Sequence, residues 1–92
     1  MRFNRASLEA FHTHGTPPKY IPPELRATVR RKLIMIDSSH NINDLRTPPG
    51  NRLERLKGDM RDYHSIRVNS QYRIVFRWTE RGAEDVDFID YH

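Results

Sequence analysis

A chain of 92 residues without cysteine holds neither a disulfide framework nor a thiolate nucleophile, and it lacks the sulfur ligands of the most familiar zinc sites. With 36% hydrophobic and 30% charged residues it suits one small core, so a single domain over residues 1–92 is expected, burying about 60 to 65% of its unfolded surface. A net charge of +4 and a sequence pI near 9.9 favour phosphate-rich partners, and no apolar run approaches the roughly 18 residues of a membrane span.

The opening MRFNRASLEAF has no signal-peptide hydrophobic region, so a cytoplasmic chain is expected. Met1 to Phe3 reads as a short edge strand, and Ser7 to Phe11 as one or two helical turns. Between His12 and Pro23 one glycine and four prolines predict a loop. His12 and His14 share a direction if that loop is extended. No third His, no Cys and no nearby carboxylate completes a metal site, and they read as surface residues. Pro22-Pro23-Glu24 opens the strongest helix, with proline in the first turn and an acid near the positive end. Leu25, Val29, Leu33 and Ile36 recur at helical spacing and form a stripe that a sheet should cover. Arg26, Arg30, Arg31 and Lys32 fall between them, predicting a basic solvated face or, alternatively, a ridge that touches phosphates.

Asp37 to Asn43 ends that helix, and Asn43 to Arg46 forms another single turn. Thr47-Pro48-Pro49-Gly50-Asn51 breaks the chain, which resumes as a strand over Arg52 to Leu56. The stretch Leu56 to Trp78 organises the rest. Ile66 and Val68 share one parity, as do Tyr72, Ile74, Phe76 and Trp78, whereas Arg67, Arg73 and Arg77 take the opposite parity. Period-2 alternation on both sides of the polar Asn69-Ser70 predicts a half-buried antiparallel hairpin with a core face and a guanidinium face. Thr79 to Asp85, containing Gly82, reads as the next turn, and Val86 to Asp90 as the last strand before Tyr91-His92.

The run Pro48-Pro49-Gly50-Asn51-Arg52-Leu53-Glu54, then Leu56-Lys57-Gly58, then Ser65-Ile66-Arg67-Val68-Asn69 with Tyr72-Arg73-Ile74, and the closing Asp90-Tyr91-His92, resembles the HigB-type toxins of the RelE/ParE superfamily. The likeness extends over nearly the whole chain and is most specific in its second half. It implies an α+β fold of two N-terminal helices packed on a small antiparallel sheet. It also implies a toxin that cuts messenger RNA on the ribosome and is silenced by a helix-turn-helix antitoxin of the HigA type. A heterotetramer of two toxins and two antitoxins, meeting operator DNA only through that complex, follows from the same likeness.

Metal-independent RNA cleavage needs a group to take the 2′-hydroxyl proton, cations to stabilise the phosphorane, and a donor to protonate the departing 5′-oxygen. No cofactor is called for. On the resemblance, Lys57, Arg73, Asp90, Tyr91 and His92 occupy active-site positions. Glu54 stands where some relatives carry histidine, which leaves the general base unassigned. His92 is the leading acid–base group, because an ordinary imidazole exchanges its proton near pH 6.5. A terminal carboxylate on that residue favours imidazolium, so it suits the role of acid or electrostatic stabiliser. Arg73 can hold a phosphate through two parallel hydrogen bonds with Lys57 as a point charge beside it. Arg67, Arg77 and Tyr63 are expected to contact RNA. Asp90 and His92 share a parity that Tyr91 lacks, so a flat strand cannot aim all three into one cleft; a bulge or a bend after the last ladder bond would resolve this. The alternatives are a ParE-like inhibitor of DNA gyrase, which needs no proton-transfer groups, and a non-catalytic basic module that binds nucleic acid.

Overall fold

Two helices open the chain, and the computed structural model describes residues 1–91, so that His92 lies outside the described residues. Helix α1 spans Ala6–His14 and buries Leu8 and Phe11. It passes through His12 and His14, two residues taken above for loop, because the break is made by Gly15 and not by the first proline. Gly15 takes φ 81° and donates its N–H to Phe11 O, closing the helix in the left-handed conformation that glycine adopts without penalty. In a helix, residues two apart point to different sides, so His12 and His14 do not face one another as they would in an extended loop. His12 Nε2 instead lies 3.2 Å from Asp37 Oδ2.

A single 3₁₀ turn, Pro23–Leu25, leads into helix α2, Arg26–Ser38. Val29, Leu33 and Ile36 are buried as the spacing predicts. Lys32 corrects the expected basic face: it is only 7% exposed, and its ammonium donates to Asn51 Oδ1 at 2.6 Å. Burial, then the charge of Arg31, lowers its pKa. Asn51 is completely buried and its amide nitrogen donates to Leu45 O at 3.1 Å. The loop after α2 is thus held by a polar clamp whose loss leaves a buried ammonium without its acceptor. That loop carries a 3₁₀ turn over Ile42–Arg46, with a capping box between Asn41 and Asp44, and a second over Pro49–Asn51.

Strand β1 is only Glu54–Arg55, shorter than the expected Arg52 to Leu56, because Arg52 at φ 46° leaves the 3₁₀ turn in a left-handed conformation that no strand continues. Strands β2 (Tyr63–Arg67), β3 (Tyr72–Thr79) and β4 (Gly82–Asp90) complete an antiparallel sheet in the order β1-β2-β3-β4. Phe3 adds a parallel bridge to Val86 at the β4 edge. Strand β4 begins well before the expected Val86. One extra residue on β4 between Glu84 and Asp87 shifts the register, and Asp85 there has φ 52°. Buried Ala83 and Val86 are therefore three apart, and simple alternation conceals the strand.

The sheet has two unlike faces. Ile66, Ile74, Phe76, Val86 and Phe88 pack with Leu8, Phe11, Val29, Leu33 and Ile36 into one apolar cluster beneath the helices. Each such side chain, fully buried, contributes about 1.5 to 3 kcal/mol. Register places Glu54, Ser65, Arg67, Arg73, Val75, Arg77, Asp87 and Ile89 on the other face. The result is the α+β arrangement expected from the sequence.

Candidate active site

The alternation of β3 turns Arg73 to the outer face, directly opposite Arg67 on β2 and Ile89 on β4. Its Nη1 donates to Ser65 Oγ at 3.0 Å and lies 3.6 Å from Glu54 Oε2. Its guanidinium carbon stands 4.9 Å from the centroid of the Tyr91 ring, a cation–π contact. Only 11% of the Arg73 side chain is exposed. Ser65 is fully buried, so its hydroxyl acts as a fixed acceptor and leaves the other guanidinium nitrogens for a ligand. The sequence offered one signal for Ser65, its shared parity with Arg67.

Beside Arg73 an open cleft of about 420 Å³ is lined by Glu54, Arg55, Leu56, Lys57, Met60 and Tyr91. Lys57 follows Leu56, whose N–H completes a last ladder bond to Tyr63 O at 2.9 Å, before the chain turns through Gly58–Met60. Tyr91 is held just beyond β4: its N–H donates to Gln71 O at 2.7 Å. Asn69 Oδ1 shapes that turn by accepting the N–H groups of Gln71 and Tyr72, at 2.9 and 2.7 Å. The sequence marked Asn69 as part of the chain reversal but gave no sign of Asn51 or Gln71 as supports, since isolated amides in loops carry no period.

Of the residues singled out from the sequence, Glu54, Lys57, Arg73 and Tyr91 gather around this cleft. Asp90 does not face it with them. It pairs with Tyr72 in register on the Phe88 side and accepts a hydrogen bond from Gln71 Nε2 at 3.0 Å. The one-residue bulge of β4 lies at Asp85, and the register is regular from Asp87 to Asp90, where the ladder ends; a bulge or bend after that last bond would fall at Tyr91 and His92, and His92 lies outside the described residues. Arg77 lies four residues along β3 from Arg73, about 13 Å away. Its Nε donates to Asp85 Oδ2 at 2.7 Å, and that bond and charge raise its pKa. Tyr63 lies opposite Arg77. Among the described residues no group of three His, Cys, Asp or Glu side chains is placed to hold a metal ion.

Two features define the chemistry available. Arg67 and Arg73 are like charges directly opposite in an antiparallel pair, which is unfavourable until an anion lies between or beside them. Arg73 also pairs with a half-exposed Glu54, an interaction of at most about 1 kcal/mol in water that an incoming phosphate can replace.

Residues 1–92 match the profile of a family described as the RelE-like toxin of the type II toxin-antitoxin system HigB. The chain is 37% identical over 92 residues to Toxin HigB-1 of Vibrio cholerae serotype O1, covering 100% of this chain and 96% of that protein. It is 40% identical over 85 residues to an uncharacterized protein of Haemophilus influenzae, covering 92% and 83% of the two chains.

Proposed function

From the premise that this chain belongs to the HigB family of RelE-like toxins in type II toxin-antitoxin systems, and so has an antitoxin as its partner, we propose that it is an endoribonuclease that cuts messenger RNA on the ribosome. The observation that carries this reading is the tethering of Arg73 by Ser65 under the Tyr91 ring, next to a cleft bearing Lys57 and Glu54. A preorganised guanidinium stabilises the charge that develops on a phosphorane without reorganising during the reaction.

In this mechanism the 2′-oxygen attacks phosphorus as its proton passes to a base. The bond from phosphorus to the 5′-oxygen breaks as an acid protonates the leaving oxygen. Arg73 grips the equatorial oxygens, with Arg67 and Lys57 adding positive charge. Glu54 is the carboxylate nearest Arg73 among the described contacts and takes the role of base. His92 serves as acid. Tyr91 stacks on a base next to the scissile phosphate, and Asp90, through Gln71, positions the last residues. Tyr63 and Arg77 extend the RNA path along the outer face.

The whole chain, 1–92, acts as one cytoplasmic domain in this reading, and no helix among the described residues is long and apolar enough to cross a membrane. Its antitoxin is of the helix-turn-helix HigA type, two copies of each chain form the resting complex, and operator DNA is met through the antitoxin. Mapping messenger RNA ends on ribosomes during expression tests the proposal. New ends should appear with the wild type and vanish with Arg73→Ala and with His92→Gln, each of which should relieve growth arrest while remaining folded. Growth arrest with uncut transcripts would instead identify a gyrase poison, and full toxicity of both variants would overturn the mechanism.

A further inference from the structure

Three apolar side chains line the cleft beside Arg73, and none of them belongs to the cluster beneath the helices: Leu56, Met60 and Tyr91. Leu56 is 6% exposed, Met60 is half-buried, and Tyr91 is 41% exposed. The Arg73 guanidinium stands over the Tyr91 ring, yet Arg73 does not line the cleft. The ring therefore serves two neighbours, the guanidinium and whatever enters the cleft.

Both ends of this lining are fixed. Met60 closes the single 3₁₀ turn Gly58–Met60, which Gly58 enters at φ 68°, a conformation that glycine takes without penalty. Arg61 N–H donates to Gly58 O at 3.2 Å, and Arg55 Nε donates to Arg61 O at 3.0 Å, tying the turn to β1. Tyr91 is held from the far edge of the sheet by its bond to Gln71 O. The cleft, about 420 Å³, falls in the size range of small-molecule pockets. A phosphate needs only the cations here and gains nothing from an apolar lining. A nucleobase uses both: its flat faces stack on an aromatic ring, and a flexible, polarisable thioether adapts to the opposite face. The adjoining phosphate then lies toward Arg73, on the other side of the shared ring. A purine covers more of both walls than a pyrimidine does, and stacking grows with the area covered.

We propose that Met60 and Tyr91 are the two walls of a base-binding subsite that selects a purine next to the scissile phosphate, with Met60 as the residue that sets the preference. The ligand being messenger RNA rests on the nuclease reading above. The test uses the full-length protein in two arms. In the first, an uncleavable 2′-O-methyl trinucleotide carrying 2-aminopurine is titrated with protein, and its fluorescence falls as the base stacks. Wild type and Met60→Leu should quench it, and Met60→Ala should bind at least about fivefold more weakly. In the second arm, messenger RNAs randomised at the two nucleotides flanking the cut are cleaved on ribosomes and their ends counted. Wild type and Met60→Leu should favour a purine at one of these positions about tenfold, and Met60→Ala only about twofold. The loss should fall on purine sites, because a merely structural role would lower purine and pyrimidine sites alike. Absence of quenching by the wild type, or equal losses at both kinds of site with circular dichroism matching the wild type, overturns the subsite and leaves the lining to an apolar side chain of the antitoxin. Quenching that follows Met60 while transcripts stay uncut by the wild type would overturn the nuclease reading and leave the base site standing.

Discussion

Arg73 and Arg77 occupy the same strand and the same face, yet their surroundings set them to different work. Arg73 is walled by Ser65, Glu54 and Tyr91, with 11% of its side chain exposed. Arg77 is 40% exposed and paired with Asp85, a residue brought to it by the β4 bulge. A cation held by a neutral, buried hydroxyl, with its carboxylate at 3.6 Å, keeps more of its charge available than one hydrogen-bonded to a carboxylate at 2.7 Å. Position in the alternation is thus necessary for a place on the outer face of the sheet, and the neighbouring strands decide whether the charge is offered.

The contrast is most exposed to attack at Arg73 itself. Arg73→Ala should lower single-turnover cleavage of ribosome-bound messenger RNA by at least about 100-fold, the usual cost of one preorganised donor to a developing oxyanion. A loss below tenfold would place the chemistry elsewhere. Next in size is the support beneath that end of the sheet. Asn51→Ala removes the acceptor of a buried ammonium and should cost about 2 to 3 kcal/mol in urea unfolding; a cost under 0.5 kcal/mol, on the scale of a plain surface change, would show that water replaces the clamp.

Smaller effects refine the comparison. Tyr91→Ala should slow cleavage about three- to tenfold by removing the ring against Arg73, while Tyr91→Phe keeps that ring. Equal losses in both variants would mean that the phenol hydrogen and not the ring is used. His64 gives a stability effect with a defined sign. Burial and then the charges of Arg55 and Arg46 hold its pKa below 6.5 in the folded protein, so the unfolded chain binds its proton more readily. Its stabilising contribution is complete above pH 6.5 and is lost as acidification passes through the lowered folded-state value. Stability measured from pH 7.5 to 5 should fall for the wild type and fall less for His64→Gln. Smallest of all, Arg77→Ala should change cleavage less than threefold and leave the melting temperature unaltered, and a loss comparable to that of Arg73→Ala would erase the distinction drawn between them.

Much of this molecule was legible before folding was considered. The Leu25, Val29, Leu33 and Ile36 stripe, the alternating Tyr72 to Trp78 segment and the break at Pro48 are local signals: each depends on residues within a few positions. They determined the helix after Pro22, the central hairpin, the division of the sheet into apolar and cationic faces, and the presence of Arg67 and Arg73 on the latter. Tertiary structure alone decided that Lys32 turns inward to Asn51, that Asp85 satisfies Arg77, and that Ser65 fixes the guanidinium. Each of these joins residues eight or more positions apart, through strand register, a one-residue bulge or the docking of a loop on a helix. A periodic pattern records which way a side chain points, and only the packed chain determines what it meets there.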